Sequence, residues 1–352
     1  MSEHFSSPRR IDKPATIRDV AQRAGVSKSS VSRYLQGSEH LSSQARTAIH
    51  DAIAELGYRP SAVARSLTNR RSKAVGVLVH DLRQPWFVDF LDGLSASLHG
   101  AGYYMLLGDT RLDASMGESL VRTFAQKQVD GLVVAGTMPI SDALATAIRD
   151  LPTVVAGNHE LDDTGLDLVV PDDEAVTLLA LEHLYSLEHR RIAHVAGDGG
   201  RTFDLRRGAY ERFMADKGLA DSMCVAVASP SEVGGQTASQ EILAAADKQP
   251  TAIFAANDLL AMGTLSTARS LGIAVPERLS IVGIDDSFLA ASGVISLTSI
   301  NLDTSRQGVL AGELLVQRIA DPDAERRRHV LQPRGLTVRS SSGSAPHKRR
   351  SR

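Results

Sequence analysis

Apolar residues recur every three or four positions through residues 16–56, which is the spacing of helices that bury one face. Two such faces come first: Val20, Ala21 and Ala24, then Val31 and Leu35. Gly25 lies between them and can adopt the positive φ that a chain needs where it leaves a helix. Ser27 follows and can cap the next helix through its hydroxyl. The pattern therefore predicts two short helices around a tight turn, the second over residues 28–36.

The second predicted helix has a polar outer face of long donors and small hydroxyls. Its members are Lys28, Ser29, Ser32 and Arg33. Such a face on a rigid helix suits the major groove of DNA. The alternative is that two amphipathic helices merely pack together. A third helix is predicted over residues 43–56 and would complete a three-helix headpiece.

From Ala74 onward, short apolar runs alternate with helical patterns. The predicted strands are residues 75–79, 104–107, 131–135 and 153–156, then 192–196, 224–228, 252–255, 280–284, 297–300, 329–331 and 336–338. Continuous apolar strands with intervening helices predict parallel sheets that are covered on both faces. Because the strands fall into two series, we expect two similar lobes.

Charge is distributed unevenly along a chain whose formal net charge is only −2. Residues 1–73 contain 13 Lys or Arg and 6 Asp or Glu, whereas the remainder contains 26 and 35. A basic head on an acidic body is typical of a polyanion-binding module joined to a domain of another kind. The arm before Thr16 adds Arg9, Arg10 and Lys13, which could contact phosphates without sequence preference.

Composition and motifs exclude several classes of protein. The single cysteine, Cys224, provides neither a disulfide framework nor a cysteine zinc site, and it favours a reducing cytoplasm. The sequence has no signal-peptide core and no run of about twenty apolar residues. It also has no phosphate-binding loop, nucleophile elbow or HExxH motif. We therefore predict no catalytic residue, cofactor or metal. A solute-binding protein would share the body but not the basic headpiece.

These features resemble the lactose/galactose repressor (LacI/GalR) family of bacterial transcription regulators. The matching positions are Thr16, Ile17, Asp19, Val20, Ala21, Ala24, Gly25, Val26, Ser27, Val31, Ser32, Arg33, Gly57, Tyr58 and Pro60. The second helix departs from the family pattern at two positions. Ser30 occupies a position that is usually Thr, and Gln36 occupies one that is usually Asn. The resemblance implies a helix-turn-helix headpiece on a body like the periplasmic binding proteins. It also implies DNA contacts from Thr16, Ser27, Lys28, Ser29, Ser30, Ser32 and Arg33.

The predicted organisation has five segments. They are a disordered arm at residues 1–15, the headpiece at 16–59, a hinge helix and linker at 60–73, the body at 74–340 and a basic disordered tail at 341–352. Within the body, lobe one covers about 74–172 and 301–331, and lobe two covers about 173–300 and 332–340. The polar tail has no heptad repeat, which argues against a tail-bundle tetramer.

The segment that follows the headpiece is helix-like over residues 60–68. A helix of about two turns is marginal alone in water. The resemblance implies that it folds on DNA beside its dimer mate and places Ser61, Ala64 and Leu67 in the minor groove, where Leu67 would be the wedge that bends the duplex. The residues by themselves favour a linker helix with Leu67 packed on the body.

Two parallel α/β lobes bind ligands at the carboxyl ends of their strands, in the cleft between them. The residues there that we predict to bind an effector are Asp81, Trp86, Phe87, Asn158, Arg206, Asn257 and Asp285. Trp86 is the only tryptophan and could stack on a sugar or a base, or it could be a core residue. A lone histidine such as His159 is more often a hydrogen-bonded surface residue than a ligand contact.

Two of these assignments depend on a choice between neighbours. Arg206 and Arg207 both fit the place of a family effector-binding arginine, because Ala209 replaces a glycine in the motif that follows. Asn257 and Asp285 match family ligand positions. We predict that their neighbours, Asp258 and Asp286, cap helices instead. Pro230 stands near a place where several members carry an aromatic residue, which leaves one stacking surface.

The resemblance implies a homodimer on a palindromic operator, because one headpiece covers half of such a site. An effector in the cleft would change the angle between the lobes and decide whether the hinge segments meet. A sugar or polyol is favoured, followed by a purine or nucleoside and a phosphorylated ligand. Inducer and co-repressor control share this architecture, and a partner protein could replace the small molecule. We expect a bacterial cytoplasmic protein that is associated with the nucleoid when bound to DNA.

Overall fold

The computed structural model describes residues 15–35, 38, 40–58, 71–138, 140–162, 165–244 and 249–346. The chain forms two compact units, residues 1–72 and 73–352. We describe the headpiece and the body separately. The predicted DNA contacts Ser61, Ala64 and Leu67, the predicted arm up to residue 14 and the last residues of the tail lie outside the described ranges.

The headpiece consists of three helices around a small core. They are α1 (Ile17–Arg23), α2 (Lys28–Leu35) and α3 (Ser43–Glu55). Val20, Val31 and Ile49 are fully buried where the helices meet. Helix α1 begins with a capping box, in which the side chains of Thr16 and Asp19 each accept a hydrogen bond from the other's backbone N–H. Local sequence thus fixes the start of α1 before any tertiary contact forms.

The turn between α1 and α2 has the predicted geometry. Gly25 has a φ of +66°, in the region that glycine adopts without steric cost. The Ser27 hydroxyl oxygen accepts a hydrogen bond from the backbone N–H of Ser30 at 3.1 Å, which caps α2. The predicted helix-turn-helix is confirmed, with α2 ending at Leu35.

Lobe one of the body is a six-stranded parallel sheet covered by helices on both faces. In spatial order its strands are β11 (Arg328–Leu331), β5 (Asp167–Pro171), β4 (Thr153–Ala156), β3 (Gly131–Ala135), β1 (Ala74–Val79) and β2 (Tyr104–Asp109). Its helices are α4 (Trp86–Gly100), α5 (Ala114–Gln126), α6 (Asp142–Arg149) and α11 (Thr304–Ala320). The order reverses beside β1, so the loops after β1 and β3 line a switch point of the kind that binds ligands.

Lobe two repeats this arrangement. Its strands in spatial order are β12 (Gly335–Thr337), β10 (Thr298–Asn301), β9 (Ser280–Asp285), β8 (Ala252–Ala255), β6 (Ile192–Gly197) and β7 (Val225–Ala228). Only β12 is antiparallel to its neighbour. Its helices are α7 (Asp173–Ser186), α8 (Arg201–Asp216), α9 (Glu232–Ala244) and α10 (Asp258–Ser270). The predicted fold of two parallel-sheet lobes is confirmed.

Each lobe contains one pair of helices whose backbones touch through glycine. In lobe one, a Cβ added to Gly308 of α11 would lie 2.1 Å from the Phe90 carbonyl oxygen of α4. In lobe two, a Cβ added to Gly263 of α10 would lie 2.1 Å from the Glu232 carbonyl oxygen of α9. Any larger residue would push these helices apart, so both pairs depend on glycine for their close approach.

The structure corrects two predictions about segments of the body. Strand β5 was not predicted, because its apolar run, Leu168, Val169 and Val170, is short and lies between aspartates. The tail was predicted to be disordered from residue 341, but Ser341 is buried. Its backbone and side chain bond to Ile281 of β9, and Ala345 N–H bonds to the carbonyl of Leu187. A serine-rich segment packs here because the Ser341 hydroxyl donates to the Ile281 carbonyl and accepts from the Thr298 N–H.

Candidate functional site

The outer face of α2 is exposed as the sequence predicts. Lys28, Ser29 and Arg33 are exposed, Ser32 is half-buried, and Val31 behind them is fully buried in the headpiece core. The first turn of α2 contains no acidic residue. The positive end of the helix dipole and the charge of Lys28 therefore act together, which favours a phosphate at this helix end.

Four hydroxyls of the predicted DNA surface form hydrogen bonds at the N-termini of α1 and α2. Thr16 Oγ1 donates to Asp19 Oδ2 at 2.8 Å. Ser27 Oγ lies 2.8 Å from Ser29 Oγ and 2.9 Å from Ser30 Oγ. These bonds fix the side chains at the N-termini of both helices, where they remain exposed or half-buried. The serines are therefore oriented before they meet any ligand.

In lobe one, Asp81 is turned towards a neighbour in its own loop. Its carboxylate accepts hydrogen bonds from Arg83 Nε at 2.9 Å and Nη2 at 2.8 Å. The side-chain bonds from Arg83 lower the pKa of Asp81. An ionised aspartate that is already paired with arginine is less available for an effector than the sequence predicts. The next polar residue, Gln84, crosses the cleft and donates through Nε2 to the carbonyl oxygen of Pro230 at 2.8 Å.

Trp86 lies between the two lobes, whereas Phe87 belongs to the core. Trp86 is partly buried, stacks on Phe90 with ring centroids 4.7 Å apart, and packs against the cores of both lobes. Phe87 is 1% exposed and lies within the core of lobe one. The first turn of α4 points the Phe87 side chain inward, and its contact with an effector stays a prediction. Trp86 remains a candidate stacking surface.

Asn158 is fully buried, and both ends of its side-chain amide are used. Its Nδ2 donates to the Gly136 carbonyl at 3.0 Å, and its Oδ1 accepts from Glu160 N–H at 2.8 Å. These hydrogen bonds hold the loop after β4 in place, and an effector contact of Asn158 stays a prediction. The neighbouring His159 is also buried, contrary to the expectation of a surface residue.

Arg206 is the inward-facing arginine of α8, which resolves the choice between neighbours. Its Nε donates to Asp173 Oδ1 at 2.7 Å and its Nη1 to the Ala256 carbonyl at 2.6 Å. Both Arg206 and Asp173 are almost fully buried. Arg207 is exposed and pairs with Asp204 on the helix surface. Neutralisation by Asp173 leaves Arg206 as a hydrogen-bond donor more than a net positive charge.

Asp173 connects Arg206 to lobe one through His159. His159 Nε2 lies 3.0 Å from Asp173 Oδ2, and Nδ1 lies 3.2 Å from Asp162 Oδ2. Burial lowers the pKa of His159, but the hydrogen bonds and charges of Asp173 and Asp162 outweigh burial and raise it. Asp173 was not among the predicted effector-binding residues. The sequence feature that could have identified Asp173 is a carboxylate at the point where the chain crosses between the lobes.

The capping assignments at the start of α10 are reversed in the structure. Asn257 is the N-cap, and its Oδ1 accepts from Leu260 N–H at 2.9 Å. Asp258 is buried and accepts from the Ser287 N–H and hydroxyl and from the Ser299 hydroxyl. An amide cap needs only its oxygen, so the Asn257 amide nitrogen stays without a partner among the described residues. Asn257 can therefore cap the helix and still donate into the cleft.

Asp285 and Asp286 end β9 in unusual backbone conformations. Asp285 has a φ of +114° and Asp286 a φ of +51°, and strain of this kind clusters at functional sites. Asp286 caps no helix, contrary to prediction, because it accepts from Asn301 and Thr337 and pairs with Arg339. Burial and the charge of Asp258 raise the pKa of Asp285 well above its ordinary value.

Two more carboxyl groups near Asp285 and Asp286 have raised pKa values. In the first turn of α4, burial and the charges of Asp92 and Asp286 raise the pKa of Asp89. Burial raises the pKa of Asp258 to about 6. Carboxyl groups with raised pKa values donate and accept hydrogen bonds but disfavour a further negative charge. The arrangement is therefore suited to a ligand with many hydroxyl groups.

In the described ranges, no group of three or more His, Cys, Asp or Glu is placed to hold a metal ion. Among the helices that the structure describes, none is long and apolar enough to cross a membrane.

A separate groove of about 530 Å³ lies on the outer face of lobe two. It is bordered by the C-terminal half of α10 and by the loops that follow α10 and Ser292. The apolar residues that line it are Met262, Leu265, Ile273, Val275, Val294 and Ile295. Val294 is 81% exposed. An exposed apolar groove of this kind marks an interaction surface.

Comparison with known protein families gives matches at both ends of the chain. The model described as "Bacterial regulatory proteins, lacI family" matches residues 16–61. The model described as "Periplasmic binding protein-like domain" matches residues 181–342. The first match contains α1 to α3, and the second contains every strand of lobe two.

Individual relatives align with nearly the whole chain. The HTH-type transcriptional repressor PurR of Aliivibrio fischeri (strain MJ11) is 32% identical over 329 residues, which cover 92% of this chain and 97% of the relative. The lac repressor dimer bound to operator and the anti-inducer ONPF superposes with a TM-score of 0.84 at 26% identity, covering 94% of this chain and all of that one. The transcriptional regulator CelR in complex with cellobiose gives a TM-score of 0.69 at 29% identity, over 93% of this chain and 99% of that one.

Proposed function

Because this chain belongs to the lacI family of bacterial regulatory proteins and is a DNA-binding transcriptional repressor, we propose that it binds a palindromic operator as a homodimer under the control of a small effector. The family and the repressor function rest on a relative that is 32% identical across 92% of the chain. The dimer, the operator symmetry and the effector are our proposals. A repressor of this kind works on the chromosome, so we place it in the bacterial cytoplasm.

The operator surface that we propose is the outer face of α2 with the N-terminus of α1. Lys28 and Arg33 supply charge for phosphates and base edges, while the ordered hydroxyls of Thr16, Ser27 and Ser29 supply neutral donors. Ser30 and Ser32 lie beside them, half-buried. From the family resemblance we add Ser61, Ala64 and Leu67 in the minor groove, with Leu67 as the wedge.

Exposed apolar residues on the edge strands of the body support a homodimer. Strand β2 is an edge of the first sheet, yet it exposes Tyr104, Leu106 and Leu107. Strand β7 is an edge of the second sheet and exposes Val227. A free apolar edge invites pairing with another chain and is normally protected. We propose that a second copy covers β2, β7 and the groove around Val294.

We propose a neutral polyhydroxylated effector, a sugar or polyol, in the cleft. The observation that carries this proposal is the network in which Asp173 neutralises Arg206 while Asp89 and Asp285 have raised pKa values. Trp86 offers one flat surface beside these hydrogen-bonding groups, and the relative CelR was solved with cellobiose. The same surface would suit a purine or nucleoside, which is the second candidate. A phosphorylated ligand is less well supported, because Arg207 points away from Arg206 and pairs on the helix surface.

The proposal can be tested by measuring the melting temperature of the full chain against sugars, polyols, nucleosides and purines. A ligand at about a hundred times its dissociation constant adds about 2.7 kcal/mol to the stability of the folded state, so a true effector should raise the melting temperature clearly. Each ligand that stabilises the protein is then added to the protein–operator complex, where operator affinity is followed by fluorescence anisotropy.

Asp285→Asn identifies the site of any effector found in this way. The variant keeps the shape of the side chain but replaces one carboxyl oxygen with an amide nitrogen, so we expect the effector to lose its influence on operator affinity. Operator affinity without effector should stay at the parental value. Asp216→Asn, an exposed change on α8, is the matched control. A normal effector response in Asp285→Asn would show that the effector binds elsewhere.

A further inference from the structure

Lobe one caps a helix of lobe two. Glu160 lies in the loop after β4, and its Oε1 accepts a hydrogen bond from the backbone N–H of Arg201 at 2.6 Å. Arg201 is the first residue of α8, and the N-cap residue of that helix, Gly200, has no side chain to cap it. An exposed carboxylate from one lobe therefore supplies the cap that the helix of the other lobe lacks.

The absence of a side chain at Gly200 lets the two lobes approach at this point. Gly200 has a φ of +143°. An added Cβ would lie 2.1 Å from Thr137 Cγ2 and 3.4 Å from Glu160 Oε1. Thr137 follows β3 in lobe one, and its hydroxyl donates to the Thr202 hydroxyl at 3.4 Å. The first turn of α8 thus fits closely against two loops of lobe one.

The same loop and the same helix are joined a second time, closer to the effector cleft. His159, next to Glu160, bonds to Asp173, and Asp173 bonds to Arg206 one turn further along α8. The loop after β4 is itself fixed, because Glu160 N–H donates to the buried Asn158. Helix α8 is therefore held to lobe one both at its N-terminus and at the residue that we propose to meet the effector.

We infer that Glu160 is a positioning residue that latches the lobes together and holds Arg206 in place without any effector. The carboxylate faces the positive end of the α8 dipole, so its charge strengthens the hydrogen bond. The bond from Gln84 to Pro230 adds a further contact between the lobes. This inference goes beyond the proposed function, because it concerns the resting arrangement of the body.

The chain carries its own pair of reporter sites for this arrangement. Trp86, the only tryptophan, lies in lobe one, and Cys224, the only cysteine, lies exposed at the start of β7 in lobe two. In the monomer, where β7 is uncovered, a fluorescent acceptor attached to Cys224 would receive energy from Trp86 of the same chain with an efficiency that falls as the lobes separate. Because Trp86 packs against the cores of both lobes, separation would also expose it to iodide.

The experiment compares energy transfer in the full chain and three variants, without effector or DNA. In Glu160→Ala we expect the ratio of closed to open molecules to fall by about fivefold, the effect of losing one helix cap. Transfer from Trp86 should decrease and iodide quenching should increase. Glu160→Gln keeps an acceptor oxygen but no charge, so it should fall between Glu160→Ala and the parent.

Asp198→Asn is the matched control, because it removes an equal charge near the same helix end and Asp198 has no side-chain bond to lobe one among the described residues. We expect this variant to show the same energy transfer from Trp86 and the same iodide quenching as the parent. Unchanged transfer in Glu160→Ala, or an equal loss in Asp198→Asn, would overturn the latch. Since neither effector nor operator is used, that result would leave the proposed function standing, and a failed effector screen would leave the latch standing.

Discussion

Arg206 and Arg207 are neighbours in the chain but have opposite surroundings, and their variants should differ accordingly. Removal of Arg206 takes the strongest partner away from the buried Asp173, which then keeps only a histidine. Breaking a buried pair in this way costs about 3–5 kcal/mol. We expect Arg206→Ala to lower the free energy of unfolding in urea by about that amount. Arg207→Ala breaks only exposed contacts and should stay within about 0.5 kcal/mol of the parent. Equal losses in the two variants would contradict the buried assignment.

Asp258 should make the stability of lobe two depend on pH. Burial, assisted by the charge of Asp286, raises its pKa to about 6 from an ordinary value of 3.8. The folded state therefore binds this proton more tightly than the unfolded state. The stability that the proton contributes is complete below about pH 4 and is lost as the pH rises through about 6.

The test is the urea midpoint of the parent and of Asp258→Asn between pH 4 and pH 8. Asparagine carries no charge at any of these pH values, so the variant should lose less stability than the parent as the pH rises. The exposed change Asp216→Asn should keep the parental profile. Parallel profiles for the parent and Asp258→Asn would show that Asp258 does not titrate in this range.

Residue types at strand ends were predictable from the sequence, but their partners were not. Arg206, Asn257 and Asp285 belong to lobe two at or just after its strands and stay predicted effector contacts. Phe87 and Asn158 have the same position in the pattern, but they point into the core of lobe one. The direction of a side chain at a strand end depends on the backbone of the loop, and sequence spacing does not determine that backbone.

At the scale of elements, the contact between α4 and α11 should be sensitive to a single methyl group. An added Cβ at Gly308 would meet the Phe90 carbonyl oxygen at 2.1 Å and the Leu94 nitrogen at 2.7 Å. We expect Gly308→Ala to lower the free energy of unfolding by about 1–3 kcal/mol, because the helices must separate.

Gly100 provides the control for this change, because it ends α4 and has no atom within 4 Å of an added Cβ. Gly100→Ala should leave the stability unchanged or raise it by up to about 1 kcal/mol, since alanine restricts the unfolded chain. The two variants can be compared by thermal unfolding. A destabilised Gly100→Ala together with a parental Gly308→Ala would contradict the close contact.

The helices and strands themselves were largely predictable, because their periodicity reflects local burial. The helix-turn-helix was predictable to the residue at Gly25 and Ser27, where backbone conformation and capping depend on local residue types. Strand β5 was missed because three apolar residues carry little periodic signal. The tail was missed because its serines are polar in isolation, and they become buried only through partners on β9 and β10.

At the scale of the whole molecule, the proposed homodimer should depend on the groove around Val294. Placing a carboxylate at this exposed apolar position would bury a charge in the dimer, which is costly unless it is paired. We expect Val294→Asp to sediment as a monomer at concentrations where the parent is a dimer, and to bind the operator more weakly. Val330→Asp changes an exposed valine on β11, at the edge of the first sheet opposite β2, and should remain a dimer.

The division into two lobes was predictable from the two series of strands, but the contacts between the lobes were not. Glu160 and Arg201 are 41 positions apart and Gln84 and Pro230 are 146 apart. No periodic pattern connects such pairs, because they meet only after both sheets have formed. The sequence thus predicted where an effector could bind, and it left open what holds the lobes together without one.

Neither lobe can complete its sheet until the last strands of the chain have been synthesised. Strand β11 completes the edge of the first sheet beside β5, and β12 completes the edge of the second beside β10. Both emerge from the ribosome after every other strand, and the partner of β11, strand β5, is made much earlier. The headpiece has no such dependence and can fold as soon as its three helices have emerged. A nascent chain could therefore present a finished DNA-binding surface while neither lobe of its body is complete, and translational pausing before residue 328 would prolong that interval.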